Sequence, residues 1–157
     1  MDREEHASEE PIVDAEGTRR WFKDGRPHRE DGPAVEAFDG TREWYRDGKR
    51  HRLDGPAIIE ADGSMQWFHE GELHRVDGPA IETADGDSEW YLCGLRHRDG
   101  GPALEFGNNS KYWLQHGKLH RRDGPAVEHA DGRMEFWLDD APLEFNAWLD
   151  AILRARL

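Results

Sequence analysis

Five tryptophans stand 23 residues apart, at Trp21, Trp44, Trp67, Trp90 and Trp113, and Phe136 takes the sixth place. The same step runs through five His-Arg pairs: His28-Arg29, His51-Arg52, His74-Arg75, His97-Arg98 and His120-Arg121. Gly-Pro-Ala recurs from Gly32, Gly55, Gly78, Gly101 and Gly124, and no insertion breaks the register from Pro11 to Asp140. A unit of this size holds only a few short strands and cannot bury a core alone. Neighbouring units must therefore stack into an elongated array.

Each unit carries two further turn signals. One is Asp39-Gly40, Asp62-Gly63, Asp85-Gly86 and Asp131-Gly132, with Asn108-Asn109 in the fourth unit and Glu16-Gly17 in the partial first one. The other is Asp24-Gly25, Asp47-Gly48 and Glu70-Gly71. Asp-Gly between apolar runs predicts a two-residue type I′ hairpin. At Asp39-Gly40 that turn would set Phe38 against Thr41, Val35 against Trp44 and Ala34 against Tyr45. The same register gives Ile12–Trp21, Ile58–Trp67, Ile81–Trp90, Leu104–Trp113 and Val127–Phe136, each an aliphatic residue facing the aromatic column. It also opposes Glu36 to Glu43, Glu82 to Glu89 and Glu128 to Glu135. Like charges so placed need neutralising, and the column Arg29, Arg52, Arg75, Arg98 and Arg121 is the expected source.

The unit W-[FYL]-x-x-G-x-x-H-R-x-D-G-P-A-[VIL]-x-x-x-D-G-x-x-x, seen in Trp44-Tyr45-Arg46-Asp47-Gly48-Lys49-Arg50-His51 and closing at Asp62-Gly63, resembles the MORN repeat family. The resemblance covers roughly residues 11–140. It departs in H-R-x-D-G-P-A, where the usual MORN unit carries H-G-x-G, and there looks like the variant MORN-like repeat of bacterial, phage and large-virus proteins. It implies an all-β, elongated antiparallel meander of hairpins. At two strands per unit and about 4.8 Å per strand, six units give a sheet of roughly 60 Å.

The chain ends differently. Leu143, Phe145, Trp148, Leu149, Ile152, Leu153 and Leu157 recur at helical spacing, with Pro142 near the expected start. The organisation expected is an acidic tail at 1–10, six β repeats over 11–142 with the first and last partial, and a short amphipathic capping helix over 143–157.

Charge narrows the function. The chain carries a net of −13, and residues 1–16 alone hold seven acids and one base. Such a balance gives no general affinity for nucleic acid or anionic lipid and suits a basic partner. No run of 18 apolar residues occurs and the start lacks a secretory h-region, so a cytoplasmic protein is expected, in the host cytoplasm if phage-encoded. The single cysteine, Cys93, fits that compartment.

No nucleophile elbow, Walker loop or paired zinc motif appears, and neither an enzymatic activity nor a cofactor is expected. The five registered histidines do not read as a metal site either. Successive ones stand about 10 Å apart, too far for two bonds of about 2.1 Å to one zinc. The better account has each imidazole held by turn backbone.

Recognition is expected where units differ. The variable columns are Lys23, Arg46, His69, Leu92, Gln115 and Leu138, then Arg26, Lys49, Glu72, Leu95 and Lys118, with Pro27, Arg50, Leu73, Arg96 and Leu119 beside them. The candidate partner-binding residues are Glu4, Glu5, Glu9, Glu10 and Asp14 of the acidic segment, Leu92, Leu95 and Arg96 of the apolar fourth unit, and Trp148. These features suit a protein-binding module, most sharply an acidic inhibitor of a nucleic-acid-acting protein of the antitoxin, immunity or phage anti-defence type. One alternative is a scaffold that forms homo-oligomers through its edges or terminal helix. The other is a lipid-associated MORN-type protein, which the negative charge disfavours.

Overall fold

The computed structural model describes residues 10–155. Thirteen short strands form one antiparallel sheet, laid down in chain order from Ile12–Val13 at one edge to Ala141–Leu143 at the other. Between successive main hairpins the chain leaves this sheet and makes a small two-stranded hairpin at its side. There are five of these: Phe22–Lys23 with Arg26–Pro27, Tyr45–Arg46 with Lys49–Arg50, Phe68–His69 with Glu72–Leu73, Tyr91–Leu92 with Leu95–Arg96, and Leu114–Gln115 with Lys118–Leu119. In the last unit the strand Met134–Leu138 continues straight through and pairs with Ala141–Leu143. The expected all-β meander with one short terminal helix is what the chain adopts.

The register differs from expectation by one residue. Val35 faces Glu43, and Glu36 faces Arg42. Likewise Ile58 faces Gln66, Ile81 faces Glu89, Leu104 faces Tyr112 and Val127 faces Glu135. The cause is the turn. Gly40 N donates to Ala37 O at 3.0 Å, and Ala37 N donates to Thr41 O at 2.8 Å, so three residues lie in the loop. Only Gly40 has positive φ, at 97°. The Asp39 carboxylate accepts the N–H of Thr41 at 2.9 Å, which holds the aspartate on the right-handed side. This is a type I turn closed by a glycine bulge. The two-residue type I′ turn sits instead in the side hairpins, where both residues are left-handed: Asp24 at 50° with Gly25 at 73°, Asp47 at 49° with Gly48 at 82°.

The slip removes the expected glutamate oppositions. Glu36 lies between Arg19 and Arg42, and Glu128 between Lys111 and Met134. It also moves the tryptophans. Trp44 N donates to Ala57 O, at the entry to the next main hairpin, at 2.8 Å, and Trp44 O accepts from His51 N at 3.1 Å, so each tryptophan sits where main hairpin passes to side hairpin.

The core is thin and repeated. Ala34, Ala57, Ala80, Ala103 and Ala126 are all 0% exposed. The Arg column closes each unit above this row. Arg75 lies 3.9 Å above the Trp67 ring, donates through Nε to Asp77 at 3.1 Å and through Nη1 to Pro79 O at 3.0 Å and Glu82 at 2.9 Å. A Cβ on Gly78 would come 2.8 Å from its guanidinium carbon, which is why Gly precedes Pro-Ala in this unit. Small hydroxyls tie main turns together: Ser64 Oγ accepts from Ala84 N at 3.0 Å, and Ser110 Oγ from Ala130 N at 3.1 Å.

The terminal helix, α1, spans Phe145–Arg154. Pro142 does not open it. It lies in the final strand opposite Trp137, and Leu143 lies opposite Phe136. An edge strand tolerates proline because one side of it needs no donor. Trp148 and Ile152 are buried against the last unit, with Trp148 Nε1 donating to Arg121 O at 3.0 Å and its ring 4.8 Å from Phe136.

Candidate recognition ridge

The side hairpins bring the variable columns together. Lys23 faces Arg26, Arg46 faces Lys49, His69 faces Glu72, Leu92 faces Leu95, and Gln115 faces Lys118, with Leu138 facing Ala141 in the last unit. Columns that are separate in sequence are thus cross-strand pairs on one ridge along the sheet. Neighbouring hairpins touch, since a Cβ on Gly48 would meet the Arg26 stem at 3.4 Å and one on Gly117 would meet Leu95 at 3.6 Å. Along the ridge the pairs pass from cationic in the first two hairpins, through His and Glu in the third, to apolar in the fourth.

The invariant histidines hold the ridge in register. His28 Nδ1 accepts the N–H of Asp47 at 3.0 Å, the first residue of the next hairpin's turn. The pattern repeats for His51 with Glu70 at 3.1 Å, His74 with Cys93 at 3.1 Å, His97 with His116 at 3.1 Å and His120 with Asp139 at 3.3 Å. The second turn residue is held as well, with Gly48 N donating to Pro27 O and Gly71 N to Arg50 O, each at 2.9 Å. This double anchorage explains how side chains as different as Asp, Glu, Cys and His are kept at φ near 50° in the first turn position. The carboxylates of Asp47, Glu70 and Asp139 also lie 2.9–3.0 Å from the Nδ1 atoms of His28, His51 and His120, and the Nε2 atoms of His28 and His51 are buried without a hydrogen bond among the described residues.

Of the residues expected to bind a partner, Glu4, Glu5 and Glu9 lie outside the described residues, and Glu10 is exposed. Asp14 is committed to its own turn. Its carboxylate accepts from Glu16 N and Thr18 N at 3.0 Å each and pairs with Arg20 at 2.6 Å, an arrangement that holds it below the usual carboxylate range, with Arg20 the main cause. Leu92 and Leu95 are exposed and directly paired. Arg96 stands beside them but donates to Glu89 at 3.1 Å, as Arg50 does to Glu43 at 3.2 Å. Trp148 is buried, and the exposed side of α1 carries Phe145, Leu149 and Leu153 instead.

The tryptophans carry the arginines, with guanidinium-to-ring distances of 4.1 Å at Trp21, Trp44 and 3.8 Å at Trp90 and 3.9 Å at Trp113. Arg29, Arg75, Arg98 and Arg121 pair with Glu36, Glu82, Glu105 and Glu128. Unit four departs from the others. Gly100 takes the place of the aspartate that elsewhere accepts from the arginine Nε, and Asp99 lies 3.4 Å from His97 Nε2. What the sequence reading missed is the role of His69, whose ring centroid is 4.9 Å from His51 and 5.9 Å from His74, so it lies between two of the registered imidazoles. No family model matches the chain, and no curated protein matches it either.

Proposed function

We propose that this chain is a non-enzymatic protein-binding module of MORN-like repeats, and that the ridge of side hairpins is its recognition surface. The observation that carries this is the cross-strand pairing of the variable columns. A nearly constant frame of Trp, Arg, His, Gly and Ala presents a different pair of outward residues in each unit. A repeat frame with variable outward positions is the usual basis of extended recognition surfaces. The paired leucines of the fourth hairpin are the apolar anchor of this surface, and the cations of the first two hairpins set its orientation on a partner.

The test uses a photo-crosslinking residue in place of Leu95 on the ridge, and of Phe38 at the opposite, main-turn side. The reading expects Leu95 to capture a discrete partner from native host extract, Phe38 not to, and Leu92→Asp to abolish capture. Equal capture from both sides counts against the ridge.

The sharper reading, an inhibitor that covers a basic nucleic-acid-handling surface, rests on charge. Residues 17–50 hold nine bases and seven acids, whereas residues 51–157 hold 11 bases and 20 acids, so a basic partner would meet the acidic tail and the later units. Deleting residues 2–10 removes five acids and one base and leaves the Ile12 strand in place. Association with such a partner should then slow and lose part of its salt dependence, because the Debye length falls from about 30 Å at 0.01 M to about 8 Å at 0.15 M. Unchanged rates make the tail a solubilising arm.

One observation favours self-assembly as a second reading. Among the described residues the edge strand Ile12–Val13 has one neighbour, and its side chains are 66% and 55% exposed. Concentration-dependent mass by light scattering, abolished by Val13→Lys, is its signature.

A further inference from the structure

The third hairpin places three metal-ligating side chains at one point on the ridge. Ligand atoms of His51, His69 and Glu70 all lie within 4.8 Å of one another, and among the described residues this is the one such group. Glu70 Oε1 is 3.0 Å from His51 Nδ1. The His51 and His69 rings are tilted 47° with centroids 4.9 Å apart. Equivalent registered histidines remain a repeat apart, but His69 enters from the variable column and fills the gap.

The other units act as internal comparisons. Beside His28 the two positions hold Arg46 and Asp47, beside His74 they hold Leu92 and Cys93, beside His97 Gln115 and His116, and beside His120 Leu138 and Asp139. Only the third hairpin sets both an imidazole and a carboxylate next to the column histidine. Its backbone is already fixed, with Glu70 N bonded to His51 at 3.1 Å and Gly71 N to Arg50 O at 2.9 Å. His51 is only 8% exposed, so its rotamer is restricted, whereas Glu70 is exposed and His69 is exposed between the His51 and His74 rings, where a turn of its side chain brings it inward.

We propose that His51, His69 and Glu70 bind a divalent transition-metal ion and thereby clip the second unit to the third. Two imidazoles and one carboxylate suit Zn2+, Ni2+ or Cu2+ and not Ca2+ or Mg2+, which take oxygen ligands. With bonds of about 2.0–2.1 Å, tetrahedral ligand atoms stand roughly 3.4 Å apart. The Glu70–His51 edge, at 3.0 Å, is about 0.4 Å shorter than that, so Glu70 opens slightly while side-chain rotation of His69 closes the remaining gap. The ion takes the Nδ1 lone pair that now faces the Glu70 N–H. That N–H, in an exposed turn, passes to water. Solvent fills the fourth position.

The experiment is a calorimetric titration of the full chain with Zn2+, repeated with Co2+ and read by its visible d–d absorption. The expected result is one site per chain with tetrahedral-type Co2+ bands, weakening as pH falls through the imidazole range. His69→Gln, which installs the residue already carried at Gln115, and Glu70→Gln should each weaken binding by at least about tenfold. His116→Gln, in the separate His97–His116 imidazole pair, should leave it unchanged. Zn2+ should also raise the denaturation midpoint of the parent chain and not of His69→Gln. Zn2+ affinity unaltered in both His69→Gln and Glu70→Gln, or no binding at millimolar Zn2+, overturns the proposal.

Discussion

Arg75 lies flat above Trp67, its guanidinium carbon 3.9 Å from the ring centroid. The same guanidinium bonds Asp77, Pro79 O and Glu82. One side chain thus closes the H-R-x-D-G-P loop and packs the aromatic column beneath it. Lysine keeps the charge but loses the planar fork that makes these bonds together with the stacking. Arg75→Lys should destabilise by about 2 kcal/mol, measured by urea titration, since several partly buried bonds are lost at once. A cost within about 0.5 kcal/mol, as for a plain surface change, would mean the arginine only decorates the loop.

Because each unit touches only its neighbours, position along the array should matter as much as burial. Trp67→Ala should cost about 3–5 kcal/mol. Trp21→Ala should cost less although Trp21 is the more buried of the two, because the first unit has a described neighbour on one side only. Denaturant titrations of the two variants, compared at equal m-value, provide the check.

The two turn types, main and side, should respond in opposite ways to substitution. Gly40, at φ 97°, should lose about 1 kcal/mol or more on replacement by alanine. Cys93 holds φ 48° with a side chain that makes only a 3.6 Å thiol contact to His74 Nδ1, and Asn is the side chain most at ease there. Cys93→Asn should raise stability by about 0.5–1 kcal/mol, seen as a higher thermal midpoint. Loss of stability in Cys93→Asn would show that the thiol, 3.6 Å from His74 Nδ1, supports the turn.

Burial holds the His51 imidazole below its ordinary 6.5, against the smaller opposing pull of Glu70. Below pH 6.5 the unfolded chain therefore binds a proton that the folded chain resists, so stability drops on acidification and this contribution is complete above pH 6.5. The urea midpoint should be flat above that value and fall beneath it. His51→Gln should flatten this part of the profile. A midpoint that rises on acidification in the parent chain alone would give His51 the opposite sign.

Much of the fold was legible in the sequence because a repeat repeats its errors and its signals alike. The 23-residue step, the hairpins and the junction at Gly-Pro followed from spacing and turn chemistry, and the helical period from Leu143 gave the terminal helix, which begins two residues later because Leu143 still pairs in the last strand. The register did not, because Asp-Gly specifies a positive-φ glycine without saying how many residues the loop holds. Asp39 bonds forward to Thr41 and makes a three-residue loop, whereas Asp47 is held from outside by His28 and makes a two-residue one. The dipeptide is identical, and the partner that decides lies 19 residues away in the preceding unit.

The candidate site divides the same way. That Lys23 and Arg26, or Leu92 and Leu95, vary was visible in one dimension, and their separation by a type I′ turn made them face each other. That His69 would lie between His51 and His74 was not visible, since no periodicity links position 69 to either. The amino-acid sequence by itself determined a stack of β units with a constant frame and a helix at its end. Tertiary structure alone decided the one-residue register, hence which side chains share a face, and the docking of each turn on the histidine of the unit before it. The physical reason is that local turn energies of competing loops differ by little, so backbone N–H groups are directed by acceptors that only the neighbouring repeat supplies.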